Sequence, residues 1–219
     1  MNDAVAAFRA QYREQHIGRH YRGWLHFGFT VSMASTIIVL CALQLHDVTP
    51  WEWLTLPLTF VYANFAEYFG HKGPMHHLRP GLRLVYERHT RQHHRFFTET
   101  EMAFESPRDF KAVLFPPVLV TFFLLAFGTP MALLLTWLTT PNVGSLFALT
   151  AATYFLNYEL LHFAHHLPDT HWVSRLPGMH VLRRLHTDHH DPKLMARYNF
   201  NISYPLGDWV FGTLYRGKA

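Results

Sequence analysis

The sequence predicts an all-α integral membrane protein, with four transmembrane helices paired as two hairpins and a histidine-rich helical cap on the cytoplasmic side. Three observations predict it. Charged residues make up only 16% of the chain, against about 25% in soluble domains. Four apolar stretches recur along it, each ending in a short polar turn or running into a polar, histidine-rich segment. Histidine is the compositional outlier, at 18 of 219 residues.

The first 23 residues are polar and basic rather than apolar, so no cleavable signal peptide is expected. Their Ala, Phe and Tyr spacing suits either a short helix lying on the membrane surface or a solvated leader. Residues 24–45 hold no Asp, Glu, Lys or Arg, and about 20 apolar residues span a bilayer core. His46 to Pro50 is a tight polar turn. Trp51 and Trp53 stand where an interfacial aromatic belt would sit, and residues 54–68 form the second span. Gly73 and Pro74 should end or bend that helix just after His71. Residues 72–108 are polar and basic. The third span is expected over 110–127, with Pro116-Pro117 near its start. Gly128-Thr129-Pro130 interrupts it, which leaves open whether 131–138 extends the helix or re-enters the membrane. Residues 145–161 are the fourth span, and the rest is polar. The whole chain, 1–219, is expected to be one membrane-bound domain. Its parts are a cytoplasmic or interfacial N-terminus (1–23), the helices with their cytoplasmic His clusters (24–166) and a C-terminal cap (167–219).

The charges set the orientation. Of 19 Lys and Arg, four lie at Arg9, Arg13, Arg19 and Arg22, eight lie from Lys72 to Lys111, and seven lie from Arg175 onward. With four spans these three regions fall on one side, which the positive-inside rule makes the cytoplasm. The net charge of +4 is thereby a topology and acidic-lipid signal, and nucleic-acid binding is not expected. The single Cys41 excludes an intrachain disulfide and a Cys-held iron–sulfur cluster within the chain.

The same topology gathers fourteen of the histidines at one face, leaving out His16, His20, His26 and His46. They fall in four clusters, at His71…His76-His77, His89…His93-His94, His162…His165-His166 and His186-Thr187-Asp188-His189-His190. Neutral imidazole is the commonest side-chain metal ligand. Three- and four-residue spacings put rings on one helix face. A structural zinc usually takes four ligands, often with cysteine; here there are no thiolates and enough imidazole for two metals. Glu87, Asp188 and Asp191, with Glu159 and Asp169 as further candidates, are placed to orient ring N–H groups. His77 and His165 adjoin stronger candidates and should point elsewhere, as outer-shell or solvent-facing groups. His171 and His180 carry less signal. Phe96, Phe97, Tyr198, Phe200 and Trp209 are candidate walls for an apolar chain.

Taken together, His71-x4-His76, His89-x3-His93-His94, His162-x3-His166 and His186-x2-His189-His190 resemble the fatty acid hydroxylase/sterol desaturase superfamily of membrane non-haem di-iron enzymes. Tyr158 to His162, Leu114-Phe115-Pro116-Pro117 and the segment from Asn199 to Thr213 are also similar to it. The likeness runs from about residue 55 to the end. The Phe-Pro-Pro and HxxxH features lean towards the fatty acyl alpha-hydroxylase branch. The second cluster departs from that branch, which more often shows His-x2-His-His. The resemblance implies ten metal ligands, His71, His76, His89, His93, His94, His162, His166, His186, His189 and His190, or five per metal if shared evenly. It implies two iron ions, with zinc able to take their place in purified protein, and O2 as co-substrate. It implies a lipid substrate from the bilayer. No cytochrome-b-type haem domain is fused, so electrons should come from a separate ferredoxin or cytochrome-b-type protein with its reductase. Sterol or carotenoid hydroxylation or desaturation is the nearest alternative. From other classes come a metal-transport or storage protein and a structural protein with surface chelates. The apolar stretches hold almost no charge, which disfavours an ion path through them.

Overall fold

The computed structural model describes residues 3–217. Residues 1–2 and 218–219, the ends of the expected domain and including the basic Lys218, lie outside the described residues. The secondary structure is helical, and no strand occurs among the described residues. Two compact units form. One comprises residues 24–63 and 115–159, the other 1–23, 64–114 and 160–219.

The first unit is built from apolar helices. α1, Asp3–Gln15, belongs to the second unit. α2, Gly23–Leu43, and the 22-residue helix α5, Pro117–Leu138, are long and apolar enough to cross a membrane. Only 17% and 11% of their apolar stretches are buried, so these are not the core helices of a soluble protein. Leu133, Trp137 and Leu138 are 60–79% exposed on α5. One expectation for this helix is corrected and one open question is settled. It starts at Pro117, because Phe110–Val113 is a separate turn that ends in extended backbone at Leu114. It also runs through Gly128-Thr129-Pro130 without a break, so 131–138 does extend it. The widened π-turn Phe122–Phe127 precedes Pro130. Pro130 has no N–H to give residue 126, and a π-bulge absorbs such a gap in the ladder. α3, Thr55–Gly70, has 16 residues, and α6, Pro141–His165, carries Glu159 within its 25. Neither meets the same test of length and hydropathy. A Cβ on Gly144 would stand 1.9 Å from Thr136 Oγ1 and 2.7 Å from the Ala132 carbonyl, so only glycine lets α5 and α6 approach there.

The two polar turns of this unit are tied together. Glu52 accepts from Thr49 N–H (2.7 Å), Thr49 Oγ1 (2.8 Å), Thr140 Oγ1 (2.5 Å) and Asn142 Nδ2 (3.2 Å). Asn142 Nδ2 also donates to the His46 carbonyl at 2.8 Å. The Thr140 hydroxyl, then the Thr49 amide, hold the Glu52 carboxyl down at about 2, from an ordinary 4.5. A lowered native value means that its stabilisation is whole above 4.5 and fades as pH falls towards about 2. Glu52→Gln should therefore melt lower than wild type at neutral pH, and the gap should close across that acidic window. A gap that stays constant with pH would contradict this role.

The second unit carries the polar segments. α1 buries Val5, Arg9 and Tyr12, and neither alternative foreseen for this segment includes such docking. Arg9, 1% exposed, donates to the carbonyls of Phe96 (2.7 Å), Glu101 (2.5 Å) and Ala103 (3.2 Å) and to Glu105 (2.6 Å). Arg13 clamps Asp109 through two 2.8 Å bonds. A fully buried guanidinium needs such partners, because an uncompensated buried charge costs several kcal/mol.

Helix α4, residues 83–96, follows, with its middle, Glu87–His93, wound as a π-helix. α7, Met179–His189, is the last long helix. The closing segment then folds back over the end of α3. Glu67 receives Ser203 N–H (3.0 Å), Ser203 Oγ (2.5 Å) and the Ile202 amide. Asn64 Nδ2 donates to the Tyr204 carbonyl at 2.7 Å, and Asn64 Oδ1 receives Gly207 N–H at 3.0 Å. Gly207 lies in the first turn of the short helix α8, Leu206–Val210. A Cβ there would sit 2.8 Å from Tyr68 Cβ. Asp208, fully buried, accepts from Phe200 N–H (2.9 Å), Asn201 N–H (2.7 Å) and Thr213 Oγ1 (2.6 Å).

Candidate metal centre

Two sets of imidazoles meet in the second unit. His71, His76, His89, His94 and His189 form one set; His93, His166, His186 and His190 form the other. Within each set the ligand nitrogens lie within 4.8 Å of one another, and every member is buried. His162 Nε2 stands 3.1 Å from His93 Nε2, beside the second set. All ten histidines singled out by the resemblance are therefore gathered here, five around each centre.

Local backbone decides which ring goes where. In α7, His186 and His190 are four apart and share a face, while His189 turns to the first set. His162 and His166 repeat that spacing at the end of α6. The first and second clusters work differently. His71–Met75 is a π-turn, as is Glu87–His93. Hydrogen bonds there run from i to i+5, so residues five apart come to the same side of the backbone. His71 with His76, and His89 with His94, are such pairs, and both pairs enter the first set. His93 is left facing the second. The extra residue in the second cluster is thus matched to a wider turn. Pro74 sits inside the first π-turn, and no regular α-helix forms there, as expected.

The outer ring nitrogens are held by backbone. Nδ1 of His93 meets the Ala112 carbonyl (2.9 Å), that of His166 meets Met102 (3.0 Å), and that of His189 meets Tyr198 (2.8 Å). Nδ1 of His190 meets Phe97 (2.7 Å), and that of His71 meets Phe200. A carbonyl only accepts, so each of these rings carries its proton on Nδ1 and turns a bare Nε2 inward. His93 and His190 then face each other with two lone pairs 3.2 Å apart. His71 and His89 Nε2 are 2.7 Å apart, and His76 and His189 are 3.0 Å apart. Extra protons do not relieve this. Burial holds His71, His89, His93, His94, His186 and His190 well below their ordinary 6.5, with His76 at about 2 and His189 at about 4. Converging bare lone pairs in a buried site call for a cation other than a proton. The donor set, nitrogen only and neutral, suits iron, zinc, copper or nickel.

Other expected site residues fall elsewhere. His165 is buried outside the two sets, with Nε2 3.0 Å from the Ile202 carbonyl and its ring 5.2 Å from His186. His77 and His180 are exposed, and His171 accepts the Val173 N–H as a helix cap, so eleven histidines converge rather than fourteen. The acidic outer shell is corrected. Two residues after His186, Asp188 lies nearly opposite it on α7, and burial raises its pKa. Asp191 accepts the Lys193 N–H at 2.8 Å. Glu87 pairs with Arg83 and Arg91, Asp169 pairs with Arg183, and Glu159 accepts the Phe115 N–H. The orienting groups are instead the carbonyls above, with Thr90 Oγ1 3.3 Å from His76 Nδ1. Of the candidate wall residues, Phe97 lies 4.0 Å from the His166 ring and Phe200 5.9 Å from His189. Phe96 is packed under Arg9 and Tyr12, Tyr198 lies against Tyr215, and Trp209 is 67% exposed.

The fatty acid hydroxylase family model matches residues 56–213, which takes in every one of these histidines. The chain belongs to the fatty acid hydroxylase family. No curated protein and no solved structure matches it. A member of this family with two apolar helices of spanning length is a membrane-associated protein, and a buried imidazole centre fits a lipid hydroxylase or desaturase, an oxidoreductase. Family members are typically iron-dependent.

Proposed function

We propose that this fatty acid hydroxylase family member inserts oxygen from O2 into a C–H bond of a membrane lipid, and that the lipid is a fatty acyl chain, as in the alpha-hydroxylase branch. The observation that carries the reading is the pair of five-imidazole sets, in which five rings turn a bare nitrogen inward. His71, His76, His89, His94 and His189 would hold one iron, and His93, His162, His166, His186 and His190 the other. Two irons so held supply the redox chemistry that activates O2. The rest is the protein's work. Backbone carbonyls fix each ring's tautomer and aim, which saves reorganisation when charge moves. Phe97 and Phe200, both fully buried, keep water from the rings. In this reading four helices span the bilayer, the basic segments and the centre face the cytoplasm, the lipid arrives from the bilayer, and a separate protein delivers electrons. The candidate spans Gly23–Leu43 and Pro117–Leu138 contain no charged residue, which supports an enzyme over an ion carrier.

The test is lipid profiling by mass spectrometry of cells that express the chain or its His186→Ala, His189→Ala double variant. The expected result is an acyl species one oxygen heavier, labelled from isotopic O2, with the wild type only. A sterol or carotenoid product would refute the acyl substrate, an alkene would refute hydroxylation, and identical profiles would refute the enzyme.

A further inference from the structure

The second unit contains a cavity of about 530 Å³ lined by Thr90, Arg91, His94, Arg95, Pro192 and Met195. His94 is the one lining residue that belongs to either imidazole set. Its Nε2 faces inward, 3.0 Å from His89 Nε2, so its ring joins this cavity to the first set. Its Nδ1 is buried with no hydrogen-bond partner, whereas His71, His93, His166, His189 and His190 each have a carbonyl there.

The rim is basic. Arg91 and Arg95 are four apart at the end of α4, and both are exposed. Arg91 has a 3.7 Å contact to Glu87, which Arg83 shares at 3.6 Å; such exposed pairs are worth little. Arg95 has no carboxylate partner among the described residues, and its guanidinium lies 4.3 Å from the Phe8 ring. Lys193, beside Pro192, is exposed as well.

Resting on the oxygenase reading above, we propose that this mouth docks a small acidic one-electron carrier protein of the iron–sulfur type, and that His94 is the point of electron entry. The lining suits a protein better than a lipid. Beyond Met195 and Pro192 it offers no apolar side chain to hold an acyl chain, and it leads to the back of a ligand ring. In each docking the carrier's reduced cluster gives up one electron and leaves oxidised, and the centre gains that electron. Two dockings supply the two electrons that, with two protons, let one oxygen atom of O2 enter the C–H bond while the other leaves as water.

The test uses the purified iron-loaded protein and an acidic [2Fe–2S] ferredoxin. Binding is measured by biolayer interferometry, and product is measured with either ferredoxin or dithionite as reductant. Arg91→Glu/Arg95→Glu should weaken ferredoxin binding and ferredoxin-driven turnover at least about ten-fold at low salt, and less at high salt. Arg91→Gln/Arg95→Gln should fall between, while metal content and dithionite-driven turnover stay at wild-type level. Unchanged ferredoxin binding would overturn the proposal. So would an equal loss with dithionite, or lost retention on phosphatidylglycerol vesicles with ferredoxin turnover intact, the mark of a lipid contact. Absence of dithionite-driven product in the wild type would instead refute the oxygenase reading, and the binding measurement would still decide the dock.

Discussion

His186→Ala should lower product formation by at least about 100-fold, since loss of even an orienting group around a metal costs 10- to 100-fold. His186 Nε2 stands 3.1 Å from His190 Nε2 and 3.2 Å from His166 Nε2, so its removal opens the second set. His76→Ala opens the first, where His76 Nε2 lies 3.0 Å from His189 Nε2. The two sets draw on different rings, so each single variant should lose about one equivalent of metal and keep the other. The double change at His186 and His189 takes a ring from each set and should deplete both ions. Elemental analysis beside the activity assay checks this. A single variant that keeps both metals and full activity would contradict the assignment of rings to sets.

Asp208→Ala should be the most damaging change away from the metal ligands. It strips the acceptor from two buried amides, Phe200 and Asn201, and from Thr213 Oγ1. Unpaired buried amides cost about 1–3 kcal/mol each, so the loss is roughly 3 kcal/mol. In a chain of this size that lowers the melting midpoint by roughly 10 °C. The damage should also reach the centre, because the Phe200 carbonyl is the acceptor for His71 Nδ1. Metal affinity at the first set should fall with stability, and Asp208→Asn, which keeps the shape and one acceptor oxygen, should do less harm. Thermal melting with and without added metal measures both effects. An unchanged midpoint would mean that the closing segment is not held by this carboxylate.

How much of this was legible depended on whether side chains carry the signal. The α-helical pairs were readable, because His162 with His166 and His186 with His190 repeat at four residues, the spacing that shares a face. The π-turns were not. His71 with His76 and His89 with His94 are five apart, a spacing that scatters rings on an α-helix and aligns them only when the backbone bonds shift to i+5. Pro74 marked a disturbance without saying which. The acidic outer shell was misread for a related reason. Every residue has a carbonyl, so Ala112, Tyr198 and Phe97 leave no trace in the sequence as hydrogen-bond acceptors, while Asp188 and Asp191 advertise themselves. Long-range docking was equally hidden. Nothing local to Arg9 tells that it will meet three carbonyls some 90 residues away. In the third apolar stretch, Gly128 and Pro130 looked like a break, and the π-turn before them carries the helix through. The family itself was legible in the histidine spacings and the closing Asn199–Thr213 segment, since both lie in the region that the family model matches.

The central claim is that ten imidazoles form two separate sites, each able to hold one ion. Elemental analysis of the purified wild-type protein, after extensive dialysis against a weak chelator, tests it most directly. The account predicts two tightly held transition-metal ions per chain, with iron retained when iron is supplied during expression. One ion or none after that treatment, or a larger number that exchanges freely, would contradict it.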